Sequence, residues 1–338
     1  MTQTNQTTQV LDAWGSLLNN QLQKGQLDHA TQKAHEANAW FTPENLRFSL
    51  QSIIHNFLNS DKLDNWLSTY DIPENHAPKT VALVMAGNLP LVGLHDLLAV
   101  MVTGNRAMVK MSSKDQILLP ALLDELFEIE PAWRDTISLV KKLENFDAVI
   151  ATGSDNTARY FHYYFGKYPH IIRKNRNSVA ILTGNESEKD LRGLGEDMLR
   201  YFGLGCRNVS KIYVPENFSF IPLFEAIEPM ATIGDHNKYY NNYMFHKSLM
   251  LINKVPHLDN GFLLLKEDEQ IASPLSVVHT HHYKSLDEVN ADIAAKKKQI
   301  QVVVGYEKPG ELLPGEAQQP ELWDYADKVD PLNFLLNL

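Results

Sequence analysis

Lys79-Thr-Val-Ala-Leu-Val-Met-Ala-Gly-Asn-Leu-Pro90 is the stretch on which the fold turns. Thr80 to Met85 is a nearly continuous apolar run of strand length. A strand apolar on both sides is covered on both faces, as in a parallel sheet. The run stops at Ala86-Gly87-Asn88-Leu89-Pro90, and Leu94, Leu97, Leu98 and Met101 then recur at helical spacing up to Gly104-Asn105. A second strand is predicted at Ala107 to Met111, containing Lys110, and a leucine-rich helix at Ile117 to Leu126. Two more strands follow, Ile137 to Val140 and Ala148 to Ala151, the latter ending at Thr152-Gly153-Ser154. Strands alternating with helices in this way make βαβ units, so the class is α/β with a parallel sheet. Ligands bind outside the carboxyl ends of such strands. Gly87-Asn88, Lys110 and Thr152-Gly153-Ser154 are therefore the first candidate site residues.

On the amino side the chain reads as helical. Leu11, Trp14, Leu17 and Leu18 share one face, and Leu50, Ile53, Ile54, Phe57 and Leu58 keep a 3.6 period. Thr42-Pro43 has the form of a helix start. Asp71 to Pro78, with two prolines, reads as a linker. On the carboxyl side, strands are predicted at Val179 to Thr183, Leu249 to Ile252, Ser276 to His279 and Gln301 to Val304. Helices are predicted at Asp190 to Phe202, Leu223 to Ile227 and Leu286 to Lys297. The expected division is a helical segment 1–75, a cofactor domain 76–175 to which 305–338 returns, and a catalytic domain 176–304.

Tyr201-Phe-Gly-Leu-Gly-Cys206-Arg-Asn-Val-Ser-Lys-Ile-Tyr-Val214 carries the only cysteine. Gly203 and Gly205 are expected to break the helix before it. Arg207 is its neighbour, and a nearby cation favours thiolate, the nucleophilic form. A lone cysteine is more often a small buried hydrophobe; its placement between helix and strand, downstream of a ligand-binding sheet, argues for chemistry.

Composition narrows the classes. The 338 residues are 44% hydrophobic and 21% charged, as in an ordinary globular protein of about two domains. A net charge of −10 argues against nucleic acid, which wants a basic face. No apolar run is long enough to span a bilayer, and the polar start lacks the pattern of a signal peptide. With a single cysteine, the expected setting is the cytoplasm.

Gly87-Asn88-Leu89-Pro90, then Gly104-Asn105 and Lys110, then Thr152-Gly153-Ser154, then a glycine-flanked Cys206: this order resembles the aldehyde dehydrogenase superfamily. It resembles most the acyl-CoA reductases that make long-chain aldehydes in bacterial luminescence. The likeness covers roughly residues 80 to 215. It implies an aldehyde-dehydrogenase-like α/β fold with a Rossmann-type cofactor domain and an α/β catalytic domain. By this resemblance Cys206 is the nucleophile, and Asn88 with the Cys206 N–H forms the oxyanion hole. Lys110 holds the adenine-side ribose of a nicotinamide cofactor, and Gly153 and Ser154 let its pyrophosphate approach the backbone. Where oxidising, NAD-using members carry a ribose-binding glutamate, this chain has Ser113, which would not repel a 2′-phosphate. The implied cofactor is thus NADPH rather than NADH. Arg173 stands where hydrolytic members have the glutamate that activates water.

The implied reaction is reduction of an acyl-CoA thioester to an aldehyde through a cysteine acyl-enzyme, with CoA as part of the substrate. An acyl-transferring partner enzyme and a homo-oligomer are further expectations. The alternatives are an acyl-phosphate reductase of the same superfamily and a non-catalytic cofactor-binding scaffold. Arg173, Lys174 and Arg176 form either a phosphate-binding cluster or a solvated loop. His236 and His246 are candidate proton donors. Tyr239 to Tyr243 reads as an aromatic loop packed on the core or lining an acyl entrance. His279, His281 and His282 lack the partners that would complete a metal site, so packing roles are expected.

Overall fold

The computed structural model describes residues 3–73, 77–305 and 310–338. The chain forms two units, Met1–Asn175 with Pro320–Leu338, and Arg176–Gln319.

The first unit opens with four helices: α1 Gln3–Gln23, α2 Asp28–Ala37, α3 Pro43–Asn56 and α4 Ser60–Leu67. Thr42 caps α3 by accepting the Asn45 N–H, and Pro43 fills the first turn, where no N–H is needed. Five parallel strands follow: β1 Thr80–Val84, β2 Arg106–Lys110, β3 Ile137–Leu139, β4 Ala148–Thr152 and β5 His170–Arg173. The crossover helices are α5 Leu94–Val102, α6 Leu118–Ile129 and α7 Asp155–Phe165. The strand order is β3-β2-β1-β4-β5. The chain builds outward from β1 on one side, then restarts on the other. The topological switch point, where such sheets take ligands, therefore lies between β1 and β4.

The leading helices are not a separate body. Leu11, Trp14, Leu18, Leu50, Leu63 and Trp66 share one core with Val81, Leu83, Leu97, Val109 and Leu122. Helices with such apolar stripes need a partner surface, and a doubly covered parallel sheet needs helices. Trp14 Nε1 also donates to the Leu122 carbonyl at 3.0 Å.

The second unit holds β6 Asn177–Ile181, α8 Glu188–Leu199, β7 Val209–Pro215, α9 Ile221–Ile227 and α10 Asn237–Ile252. It continues with β8 Leu258–Asp259, β9 Leu264–Glu267, β10 Val277–Tyr283, α11 Leu286–Lys296 and β11 Ile300–Gly305. The sheet order is β11-β6-β7-β10-β9-β8, parallel throughout except for the short β8–β9 pair. The chain returns to the first unit at Pro320, later than the expected 305, and ends in α12 Pro331–Leu336. Residues up to 319 stay behind because the Glu311 and Leu312 N–H groups bond to the Val303 carbonyl and the Ala317 N–H to Asp197. Leu332 and Leu335 of α12 join the first unit's core.

Two local expectations are corrected. Leu249 to Ile252 is the last turn of α10, not a strand; a four-residue apolar run fits either element. Tyr239 to Tyr243 forms the first turns of that helix, not a loop. Tyr239 and Tyr243 are buried, their hydroxyls donating to the Phe262 carbonyl at 3.1 Å and to Asp259 at 2.6 Å, while Tyr240 faces solvent. Among the described residues, no helix is long and apolar enough to cross a membrane.

Candidate active site

In the first unit, the candidate residues sit on the loops that leave the carboxyl ends of β1, β2 and β4. Asn88 lies exposed on the loop after β1. Lys110 ends β2 and Ser113 follows it, both exposed. Gly153 and Ser154 follow β4, and Ser154 caps α7 by accepting the Thr157 N–H at 3.3 Å. A side chain at Gly153 would press against Thr157 and Phe161 at 3.0 Å, so helix and turn meet closely only over bare backbone.

The loops after β1 and β2 are packed into one piece. The Met85 N–H donates to the Lys110 carbonyl at 3.1 Å. A Cβ at Gly87 would lie 2.6 Å from that of Ser112. Leu91 is held at a φ of 57°, and its N–H donates to Asp115 Oδ2 at 2.8 Å. Asp115 Oδ1 is buried without a hydrogen-bond partner among the described residues. Burial pushes the Asp115 carboxyl up to about 6, and the Leu91 N–H opposes that shift without cancelling it. The sequence gives no sign of this tie, since Asp115 looks like an ordinary turn aspartate.

Arg173 ends β5 and is buried in an ion pair, with Nη1 2.6 Å from Asp96 Oδ2 on α5. Arg173 therefore does not belong to an open phosphate-binding cluster with Lys174 and Arg176. Arg176 belongs to the second unit, where Nη1 donates to the Ile300 carbonyl at 3.3 Å.

In the second unit, α8 starts in a reciprocal cap between Ser187 and Asp190 and ends at Leu199, short of the expected Phe202. Tyr201, Phe202 and Gly203 then take φ values of 54°, 60° and 76°. The break thus begins before the glycines, and of the two only Gly203 is left-handed. Both aromatic side chains are buried, which holds them in a conformation that L residues disfavour. Asn208, unremarked in the sequence, ties the turn together. Its Oδ1 accepts the Gly205 N–H at 2.8 Å, and its Nδ2 donates to the Asp197 and Arg200 carbonyls at 3.0 and 2.9 Å. Ser178 Oγ on β6 donates to the Cys206 carbonyl at 3.0 Å. The backbone on either side of Cys206 is therefore fixed, while its side chain stays partly accessible.

His236 caps α10, its Nδ1 accepting the Tyr239 N–H at 3.3 Å, and its ring lies 4.4 Å from that of Phe202. Since Nδ1 accepts, the neutral ring carries its proton on Nε2. His246 lies ten residues further along α10, and burial lowers its pKa. His279 is buried with Nδ1 2.9 Å from the Gln270 carbonyl, and burial lowers its pKa too. His281 lies near Glu269 and Glu288 at 3.7 and 3.9 Å, and His282 Nδ1 is 3.3 Å from the Pro215 carbonyl. Among the described residues no cluster of three His, Cys, Asp or Glu side chains could hold a metal.

The fold matches those of solved aldehyde dehydrogenases. Aldehyde dehydrogenase 21 from Physcomitrella patens, solved with the product succinate, superposes with a TM-score of 0.70 at 12% identity, covering 100% of this chain and 84% of that one. The NADP-dependent glyceraldehyde-3-phosphate dehydrogenase of Bacillus halodurans, solved with NADP, gives 0.65 at 14% identity over 90% and 74%. The chain has the aldehyde dehydrogenase fold.

Within that fold, the chain belongs to the acyl-CoA reductase (LuxC) family, whose model matches residues 2–219, from α1 through the cysteine turn. The long-chain acyl-protein thioester reductase of Aliivibrio fischeri is 25% identical over 248 residues, 65% of this chain and 50% of that protein. Long-chain acyl-protein thioester reductase 2 of Photobacterium leiognathi is 24% identical over 183 residues, 49% and 38%. The chain spans half or less of the length of these relatives.

The Asp115 tie has a pH signature. A carboxyl whose pKa is raised on folding stabilises the protein fully below its unfolded value, and that contribution is lost as pH rises through about 6. Asp115→Asn removes the ionisation. Its melting temperature is expected to gain on the wild type's between pH 5 and pH 8, as thermal unfolding across that range will show.

Proposed function

We propose that this protein reduces an activated long-chain acyl group to an aldehyde, with the acyl group carried on Cys206. The observation that carries this reading is the cysteine turn itself. The chain's one thiol sits on a strained, fully tied backbone, inside the span that the family matches. A purely structural reading leaves unused a partly accessible thiol at such a position.

The residues at the β1–β4 switch point suit a nicotinamide cofactor. Lys110 and Ser113 would meet the adenine-side ribose. By the resemblance, the Gly153-Ser154 turn would take the pyrophosphate, at the start of a helix whose N–H groups favour anions. Ser113 in place of a carboxylate favours NADPH over NADH. When bound, a nicotinamide cofactor would supply the hydride for the thioester carbon.

The protein's own part is covalent and electrostatic catalysis. The Cys206 thiolate attacks the acyl carbonyl; a new carbon–sulfur bond forms, and the donor's bond to its leaving group breaks. By the resemblance, Asn88 and the Cys206 N–H are the candidate donors that would stabilise the oxyanion at each tetrahedral stage, a contribution worth about a few kcal/mol. After reduction the thiohemiacetal collapses, releasing aldehyde and the Cys206 thiolate. His236 is the candidate that returns a proton to the leaving group.

Arg173 supports transfer to a thiol rather than to water. It stands where a water-activating glutamate would be, and Asp96 holds it there as a buried cation. The acyl donor is a thioester, acyl-CoA in the first instance. A protein thioester delivered by an acyl-transferring enzyme is the second reading, favoured by relatives named acyl-protein thioester reductases.

Wild-type protein incubated with long-chain acyl-CoA and no cofactor is expected to gain one acyl mass on the Cys206 peptide. Cys206→Ser is expected to gain none while still binding NADPH. Acylation by acyl phosphate in place of acyl-CoA would move the donor class, and no adduct from either would remove the covalent mechanism. For the cofactor, Ser113→Glu is expected to raise the Kd for NADPH more than that for NADH, read by fluorescence titration, through repulsion of the 2′-phosphate. Equal losses would take Ser113 away from the ribose.

A further inference from the structure

Asp197 is fully buried on α8, yet it makes no ion-pair contact within salt-bridge distance among the described residues. Its carboxylate reaches across to residues 313–319, the segment that follows the second sheet. Oδ2 accepts the Gly315 N–H at 2.7 Å and Oδ1 the Ala317 N–H at 3.0 Å. The packing there is close: a Cβ at Gly193, one turn earlier on α8, would lie 2.6 Å from the Pro314 carbonyl oxygen. The segment is therefore a strap fastened to α8 by one carboxylate.

The strap's other side grips the cysteine turn. The Ala317 carbonyl accepts from Arg207 Nε at 2.5 Å. Gln318 Nε2 donates to the Arg207 carbonyl at 3.0 Å and to the Asp197 carbonyl at 3.3 Å. Both the side chain and the backbone of the residue after Cys206 are thus held by a segment that Asp197 anchors. We propose that Asp197 is a positioning residue for Cys206: through the strap it fixes the Arg207 guanidinium and the backbone after the thiol.

The charges that face Asp197 are few. Arg207, from the cysteine turn, favours its ionised form, and Glu196, from α8, opposes it. Glu196 is itself paired with Arg200. On the strap, Glu316 is turned back to accept the Leu313 N–H at 3.0 Å. Burial outweighs the two N–H donors and Arg207, and pushes Asp197 up to about 7. The anchor therefore ionises near neutral pH, and the grip on Arg207 tightens as pH rises through that value.

This inference deepens the reading of Cys206 as nucleophile, but its test reads the thiol itself. Because the chain has one cysteine, iodoacetamide alkylation of the intact protein reports Cys206 alone. Alkylation rates are measured from pH 5.5 to 9.5 for wild type, Asp197→Asn and Gln318→Leu. Leu223→Ala, a core change in the same unit, serves as a control for lost stability. Releasing Arg207 and the backbone after the thiol is expected to shift the thiol's midpoint in both strap variants, changing the alkylation rate at pH 7 by about threefold or more. The wild-type curve is expected to show a second inflection near pH 7 that Asp197→Asn lacks. Leu223→Ala is expected to melt earlier with an unchanged midpoint. If Asp197→Asn does not fold, Gln318→Leu decides alone, since it cuts the strap's hold on the Arg207 carbonyl while the two bonds to the Asp197 carboxylate stay. Midpoints equal to wild type in the folded strap variants overturn the proposal. An altered midpoint in a protein that forms no acyl adduct would instead leave the strap standing and remove the nucleophile reading.

Discussion

Three consecutive residues in the left-handed region, Tyr201, Phe202 and Gly203, turn the chain out of α8 and present Cys206. For the two non-glycine residues that conformation costs on the order of 1–2 kcal/mol each. The surroundings must supply the difference, and they do so with particular contacts. Both aromatic rings are buried, Phe202 against Tyr239 and His236. Asn208 satisfies the amide of Gly205 and two carbonyls of the unwound helix end. Strain held in this way fixes one backbone path, so the thiol residue is delivered in one place rather than sampled among several.

The first sheet imposes a different constraint. Its strand order forces a switch point between β1 and β4, and the candidate residues sit on the loops leaving the carboxyl ends of β1, β2 and β4. Those loops are stiffened from beneath. Asp115 holds Leu91 in the left-handed region, and Gly87 leaves room for Ser112. The Arg173–Asp96 pair closes the end of β5 in the same layer.

Much of this was readable in the sequence. The β1 run and its alternation with amphipathic helices gave the parallel sheet, because strands buried on both faces are apolar throughout. Cys206 and Asn88 stood out because chemistry-bearing residues followed strand or helix ends. The ties that the sequence does not mark share one physical character. Asp115, Asp197 and Gln318 bond to backbone groups distant in the chain, and Asn208 to the unwound end of a helix, and no local pattern marks such partners. Short elements were the other blind spot. β5, with only Ile171 and Ile172 between polar ends, lacks a period, and Leu249 to Ile252 fits a helix end as well as a strand.

The claim that unites these features is that an acyl group on Cys206 is passed to a thiol and not to water. Oxidation of a long-chain aldehyde with NADP⁺, followed at steady state with and without free CoA, tests it most directly. The account predicts that without CoA the reaction stops after about one equivalent per Cys206, because no group activates water. Free CoA then restores turnover, since its thiol is the better nucleophile near neutral pH. Rapid, CoA-independent release of free fatty acid would contradict it.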